Sequence, residues 1–246
     1  MIRTMSGLTD DIMRKGTLDK LLIAVLSAFN VISFFYSVKL KNVIYALSAL
    51  ASLALIFLPY LFEYFLSCRI SRDLKVVYWF LVIGGPVLGN VYKFYHYIRP
   101  WDKLLHMLSG FLVAALGYAL PDFLLKEPPA KAFKCIFAVS LSMAVGGIWE
   151  VYEYLLDVFF KMDMQNDTVI TEMASYLLGD TPGTIGEIAS IDTVSINGEP
   201  FEMGYIDIGL IDTMKDMIQC LTGSILCVVT AAFQKPTSRM FTIRAV

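Results

Sequence analysis

Six apolar stretches, each about the length needed to cross a bilayer and separated mostly by short gaps, constrain this chain more than any other feature. A hydrocarbon core about 30 Å thick takes roughly 20 helical residues. The stretches run over 18–38, 42–66, 76–97, 104–125, 132–160 and 211–233. Backbone polar groups in hydrocarbon must bond to one another, so a spanning segment of this kind has to be helical. The expected fold is therefore all-α, a polytopic membrane helical bundle of six spans in a single membrane domain, 1–246. Composition agrees: 57% of residues are hydrophobic and 17% charged, against about 45–50% and a quarter in soluble domains.

The first stretch ends at Ser37-Val38-Lys39 without a small-residue cleavage site, so it reads as a permanent span rather than a signal peptide. Gly84-Gly85-Pro86 in the third stretch should kink that helix or bring a neighbour close. No basic patch interleaved with aromatics occurs, which excludes nucleic acid. The four cysteines, Cys68, Cys135, Cys220 and Cys227, have no CxxC or Cys/His metal spacing. Cys220 and Cys227 lie seven apart on one helix, too far for a bridge.

Lysine and arginine are sorted along the chain. With the N-terminus inside, thirteen fall on the cytoplasmic side, among them Arg3, Arg14, Lys15, Arg69, Arg72, Lys75, Lys126, Lys235 and Arg239, and seven on the other. The positive-inside rule then places both termini in the cytoplasm. The 161–210 segment carries nine acids and one base, Lys161, and this orientation puts it outside. Its frequent Ile, Tyr and Phe argue for an ordered cap. Glu172–Leu178 has the pattern of a short helix. Thr193–Ile196 followed by Asn197-Gly198 has the pattern of a hairpin, although Pro200 weakens the second strand.

Polar residues recur at helical spacing in the outer halves of three spans: Asp102, His106 and Ser109; Glu150, Glu153 and Asp157; Asp212, Asp216 and Gln219. Spacings of three, four and seven put side chains on one helix face. Carboxylates in a membrane normally face a bundle interior or a water-filled cavity. Glu150 lies about ten residues before the end of its span, roughly 15 Å of helix, and so sits inside the membrane. His106, Glu150, Asp212 and Asp216, with Asp102 and His96 as further candidates, form a ligand set for a divalent metal. The oxygen-rich set suits Mg²⁺, Mn²⁺ or Ca²⁺, and His96 would complete a His₂–carboxylate zinc site. Without metal, His106, Glu150 and Glu153 would serve as catalytic acid–base residues. A helix-tying salt-bridge network is the third way to accommodate these groups.

At these residues the chain resembles the YjdF-like family of uncharacterised bacterial inner-membrane proteins. The likeness covers 84–233 and rests on Trp101-Asp102-Lys103-Leu104-Leu105-His106 with Ser109-Gly110-Phe111, on Trp149-Glu150-Val151-Tyr152-Glu153, and on Asp212-Thr213-Met214-Lys215-Asp216-Met217 leading to Gly223. The pattern is also similar to VanZ-like membrane proteins, which share an Asp-Lys-x-x-His segment, an intramembrane Glu and an Asp-x-x-Asp helix before a Gly. This chain departs from them at Glu153, at Cys220 and in its long acidic segment. The resemblance implies a shared fold and shared polar positions, and the VanZ-like association with glycopeptide resistance points to the cell envelope. Three readings stay open. One is a site for hydrolysis or group transfer on a lipid or envelope-linked substrate, reached from the membrane lipids. The second is a small transporter or channel component, which oligomerisation with further copies of the chain would complete. The third is a structural or accessory protein.

Overall fold

The computed structural model describes residues 16–202, 204–233 and 243–245; Arg3, Arg14, Lys15, Lys235 and Arg239 lie outside the described residues. Six helices are long and apolar enough to cross a membrane: Thr17–Lys39, Val43–Phe65, Arg72–Val91, Trp101–Leu124, Lys131–Phe160 and Leu210–Phe233. The protein is thus a multi-pass, mainly helical membrane protein, to which short strands are added. The chain falls into two compact units. One comprises residues up to Gly146 and from Ile218 onward; the other is Gly147–Met217.

In the first unit, α1 (Thr17–Lys39) turns its polar face inward. Asp19, Ile23, Asn30, Ser33 and Ser37 are buried, whereas Leu21, Val25, Ile32 and Phe35 are exposed. Small polar residues allow close helix approach, and leucines suit the lipid face. The hydroxyls bond within the membrane: Ser37 Oγ donates to the Ser33 carbonyl at 2.7 Å, and Ser33 Oγ meets Tyr92 Oη at 3.2 Å.

The second span is broken. α2 (Val43–Leu55) is capped by Asn42, whose side chain accepts from the Tyr45 N–H at 3.0 Å. α3 (Leu58–Phe65) restarts with Pro59 in its first turn, since proline removes the N–H that would have continued the ladder. The carbonyls freed at the break are taken up by the next span. Tyr78 Oη donates to Leu55 O at 2.8 Å and Trp79 Nε1 to Ile56 O at 3.0 Å.

The third span begins earlier and ends earlier than the sequence pattern predicts. α4 (Arg72–Ile83) widens into a π-helix over Gly84–Val91, and Lys93, at φ 60°, ends the run before the four-residue α5 (Phe94–Tyr97). Gly84-Gly85-Pro86 thus interrupts the regular α-helical ladder and brings a neighbour close. Proline denies the regular hydrogen bond, and a Cβ at Gly84 would lie 2.8 Å from a Leu105 methyl. Trp101 Nε1 donates to the Gly84 carbonyl at 3.0 Å.

α6 (Trp101–Leu124) and the portions of α7 (Lys131–Phe160) and α8 (Leu210–Phe233) within this unit touch through small residues. A Cβ at Gly223 would come within 1.8 Å of Met107 O, and one at Gly110 within 2.1 Å of Cys220 O. Ser142 Oγ donates to the Gly110 carbonyl at 2.9 Å. A short antiparallel pair, β1 (Cys68–Ile70) with β8 (Ile243–Ala245), completes the unit. All four cysteines are free.

The second unit contains the 161–210 segment, which is built from three antiparallel strand pairs: β2 (Thr168–Ile170) with β7 (Tyr205–Asp207), β3 (Met173–Ser175) with β4 (Gly186–Ile188), and β5 (Val194–Ile196) with β6 (Glu199–Phe201). The hairpin expected at Asn197-Gly198 is present, with both residues at positive φ, 52° and 88°, as a tight two-residue turn requires. Pro200 is tolerated because this ladder has only two strands, so its missing N–H can face outward. The helix expected over Glu172–Leu178 is instead strand β3 followed by a single 3₁₀ turn, Tyr176–Leu178.

Candidate functional site

The second unit holds four buried acids on two helices. Glu150 and Glu153 lie three residues apart on α7, at 6% and 7% exposure, and their carboxylate oxygens approach within 4.8 Å of each other. Trp149 Nε1 donates to Glu153 Oε1 at 2.8 Å. Asp212 stands in the first turn of α8, where an acid complements the helix dipole. Asp216 follows one turn later and is 1% exposed.

The cap is tied to both helices through carboxylates. Asp157 accepts from the Met164 and Gln165 N–H groups at 2.7 and 2.9 Å. Asp212 Oδ2 accepts from both the backbone and side-chain nitrogens of Asn166. Asp207 accepts from the Ile211 N–H at 2.7 Å. Gln165 also bonds Thr213 through its side chain. Gly209 is required here for two reasons: its φ is +80°, and a Cβ would lie 2.7 Å from the Gln165 Cβ.

These contacts leave a cleft of about 340 Å³ lined by Glu150, Val151, Tyr154, Gln165, Ile208, Gly209, Leu210 and Thr213. Its walls are mostly apolar, and Glu150 is its one carboxylate. Residues 147–217 contain fourteen acids and two lysines, Lys161 and Lys215, both exposed, for a formal charge of −12. Partial burial and then the carboxylates of Asp167, Asp157 and Asp212 push the Asp163 carboxyl above its ordinary range.

Asp102 and His106 belong to the first unit. His106 Nε2 lies 3.6 Å from Asp102 Oδ1, and Lys103 Nζ lies 3.3 Å from Asp102 Oδ2. Ser109 spends its hydroxyl on the His106 carbonyl at 2.8 Å, so it is a helix-internal group. His96 also belongs to the first unit. It lies in the four-residue α5, exposed, with its ring edge-on to Tyr97. Neither His96 nor Asp212 joins a cluster of three or more His, Cys, Asp or Glu among the described residues.

The spacing pattern did not find a second polar centre in the first unit. Glu63 Oε1 accepts from Lys75 Nζ and from the Ile70 N–H, both at 2.8 Å, and Lys75 lies 4.6 Å from the centre of the Tyr60 ring. Asp19 pairs with Arg72 at 2.6 Å nearby in sequence. The available signal was an acid near the end of one apolar stretch facing a lysine at the start of the next. The bonds Glu63 makes tie α3, β1 and α4 together.

Comparison with known proteins adds a family and no chemistry. The model of the family described as "Predicted membrane protein (DUF2238)" matches residues 18–236. An uncharacterised protein of Thermotoga maritima is 25% identical over 147 residues, covering 58% of this chain and 73% of that protein. No solved structure matches the chain.

Proposed function

We propose, for a chain that belongs to the DUF2238 family of predicted membrane proteins, that Glu150, Glu153 and Asp216 serve a divalent-cation site acting on an amphiphilic substrate of the cell envelope. The observation that carries this reading is the approach of Glu150 and Glu153 within 4.8 Å while both are buried in a membrane-spanning helix. Two carboxylates that close, withdrawn from water, make a strongly negative locus that a divalent cation would fit. Oxygen donors favour Mg²⁺, Mn²⁺ or Ca²⁺ over softer metals. A bound cation would polarise a substrate oxygen, and a neighbouring glutamate would act as the base in hydrolysis or group transfer. The sequence pattern groups His106 with these acids, so it belongs in the same mutational series.

The cleft supports the substrate class. Val151, Tyr154, Ile208 and Leu210 offer an apolar wall, while Glu150, Gln165 and Thr213 offer a polar end. A lipid or lipid-linked molecule has both characters. Such a substrate arrives laterally from the bilayer, and the cap lies on the outer side of the inner membrane with both termini in the cytoplasm. The sorting of lysine and arginine supports that orientation.

Thermal unfolding of the purified protein, with chelator and with each cation added back, tests the reading. The wild type should gain stability from Mg²⁺, Mn²⁺ or Ca²⁺ as the concentration passes Kd. Glu150→Gln should fold and lose that gain. Large stability losses in Glu150→Gln and His106→Ala, with no cation or chelator effect in the wild type, would refute it in favour of a structural network.

A further inference from the structure

We propose that the tip of the β3–β4 hairpin is a membrane-docking element that inserts into neutral lipid headgroups on its own side of the bilayer. Between these strands the chain turns over residues 176–185 and exposes Tyr176, Leu177, Leu178 and Ile185 at 67%, 96%, 38% and 55%. A leucine exposed to that extent would be unremarkable in a floppy loop, but this turn is held in shape. Ser175 Oγ accepts from the Leu177 N–H at 3.1 Å. Thr184 donates from both its N–H and its hydroxyl to the Thr181 carbonyl, at 3.1 and 2.7 Å. Two glycines permit the fold: a Cβ at Gly179 would lie 2.1 Å from Thr184 O, and one at Gly186 would lie 2.0 Å from Leu178 O. The apolar residues are therefore presented by a preorganised turn, which lowers the entropy lost on docking.

The occupant follows from the surroundings. The segment is tethered at both ends to membrane spans, and its junctions are themselves apolar and exposed: Phe159 at 72%, Phe160 at 71%, Ile208 at 85% and Leu210 at 64%. The base of the unit thus continues a lipid-facing surface. Tyr176 beside two leucines has the character of an interfacial anchor, with an apolar ring and a hydroxyl for the headgroup level. Nine acids against Lys161 over 161–210 repel an anionic surface, which leaves zwitterionic headgroups. The other hairpin tip, Asn197-Gly198, is polar and provides an internal control.

The test uses the full chain in phosphatidylcholine nanodiscs. An environment-sensitive fluorophore is placed on Leu177→Cys or on Asn197→Cys, and the unsubstituted chain gives the background. Spin-labelled phosphatidylcholine should quench the Leu177 position several-fold more than the Asn197 position, and aqueous iodide should show the reverse preference. Equal iodide quenching at the two positions would overturn the proposal. Shielding of Leu177 from both quenchers would also overturn it, in favour of a protein partner or a second copy. Adding Leu177→Glu to a label on Tyr176→Cys should abolish lipid quenching, and Leu177 is exposed enough for that change to leave the fold intact.

Discussion

Asn166 donates twice to one oxygen of Asp212, from its backbone N–H at 2.9 Å and its side-chain amide at 3.1 Å. An acid at the start of a membrane-spanning helix is thereby fixed as an acceptor, and the segment that leaves α7 is fastened to the helix that follows the cap. Bonds to a charged acceptor contribute more than neutral ones, about 1.5–3 kcal/mol. Asn166→Ala removes the side-chain bond and keeps the backbone one. It should destabilise the cap by about 1–2 kcal/mol, seen as faster proteolysis within 161–210 while the spans stay protected.

The Glu63–Lys75 pair should behave as a buried ion pair. Lys75 Nζ and Glu63 Oε1 are 2.8 Å apart with side chains 5% and 1% exposed. Removing Lys75 takes a cation at 2.8 Å from a buried carboxylate that Arg69 still meets at 4.0 Å, a loss of up to about 3–5 kcal/mol. Lys75→Met should therefore be strongly destabilising, and adding Glu63→Gln should recover part of the loss. A double-mutant cycle in thermal or denaturant unfolding measures the coupling, and additive losses would contradict it.

The Asp163 carboxyl is held above its ordinary range by partial burial and by Asp167, Asp157 and Asp212. A raised acid favours the folded state when protonated. Its contribution is complete below the ordinary carboxylate range and is lost as pH rises through the raised value. Asp163→Asn should thus stabilise the cap at neutral pH, and its advantage should shrink on acidification. Unfolding temperatures of both proteins across an acid-to-neutral series would show the two curves converging at low pH.

How much of this was legible beforehand depends on the range of the interaction. Five of the six spans were readable to within a few residues, because hydropathy is a local property. The third was misplaced because Lys93 adopts φ 60° in a run whose aromatic composition still looked continuous. The break at Pro59 lay inside an unbroken apolar stretch, and its carbonyls are satisfied only by Tyr78 and Trp79 on another helix. Glu150 with Glu153 could be paired by spacing alone, and Asp212 and Asp216 could be set one turn apart at the start of α8. Asp157 looked like a third member of the first stripe, but it anchors the backbone at 164–165, a contact made by a chain reversal that periodicity cannot express. The 172–178 helix failed for a similar reason, since Met173–Ser175 finds its partner in Gly186–Ile188.

Orientation can be checked with a membrane-impermeant thiol reagent on intact cells. Thr184 and Glu127 are both exposed and lie in connections on opposite sides if six helices cross. Thr184→Cys should be labelled from outside and Glu127→Cys only after permeabilisation. The reverse pattern would invert the topology and place the cap in the cytoplasm.

The most direct test of the central claim is calorimetric titration of Mg²⁺, Mn²⁺ and Ca²⁺ into metal-free protein in nanodiscs, run in parallel for the wild type, Glu150→Gln and Asp216→Asn. The proposed site predicts saturable binding of at least one of these cations by the wild type, lost or weakened by at least about tenfold, 1.4 kcal/mol, in each correctly folded variant. No saturable binding of any of the three to the wild type, or binding that both variants retain unchanged, would contradict it.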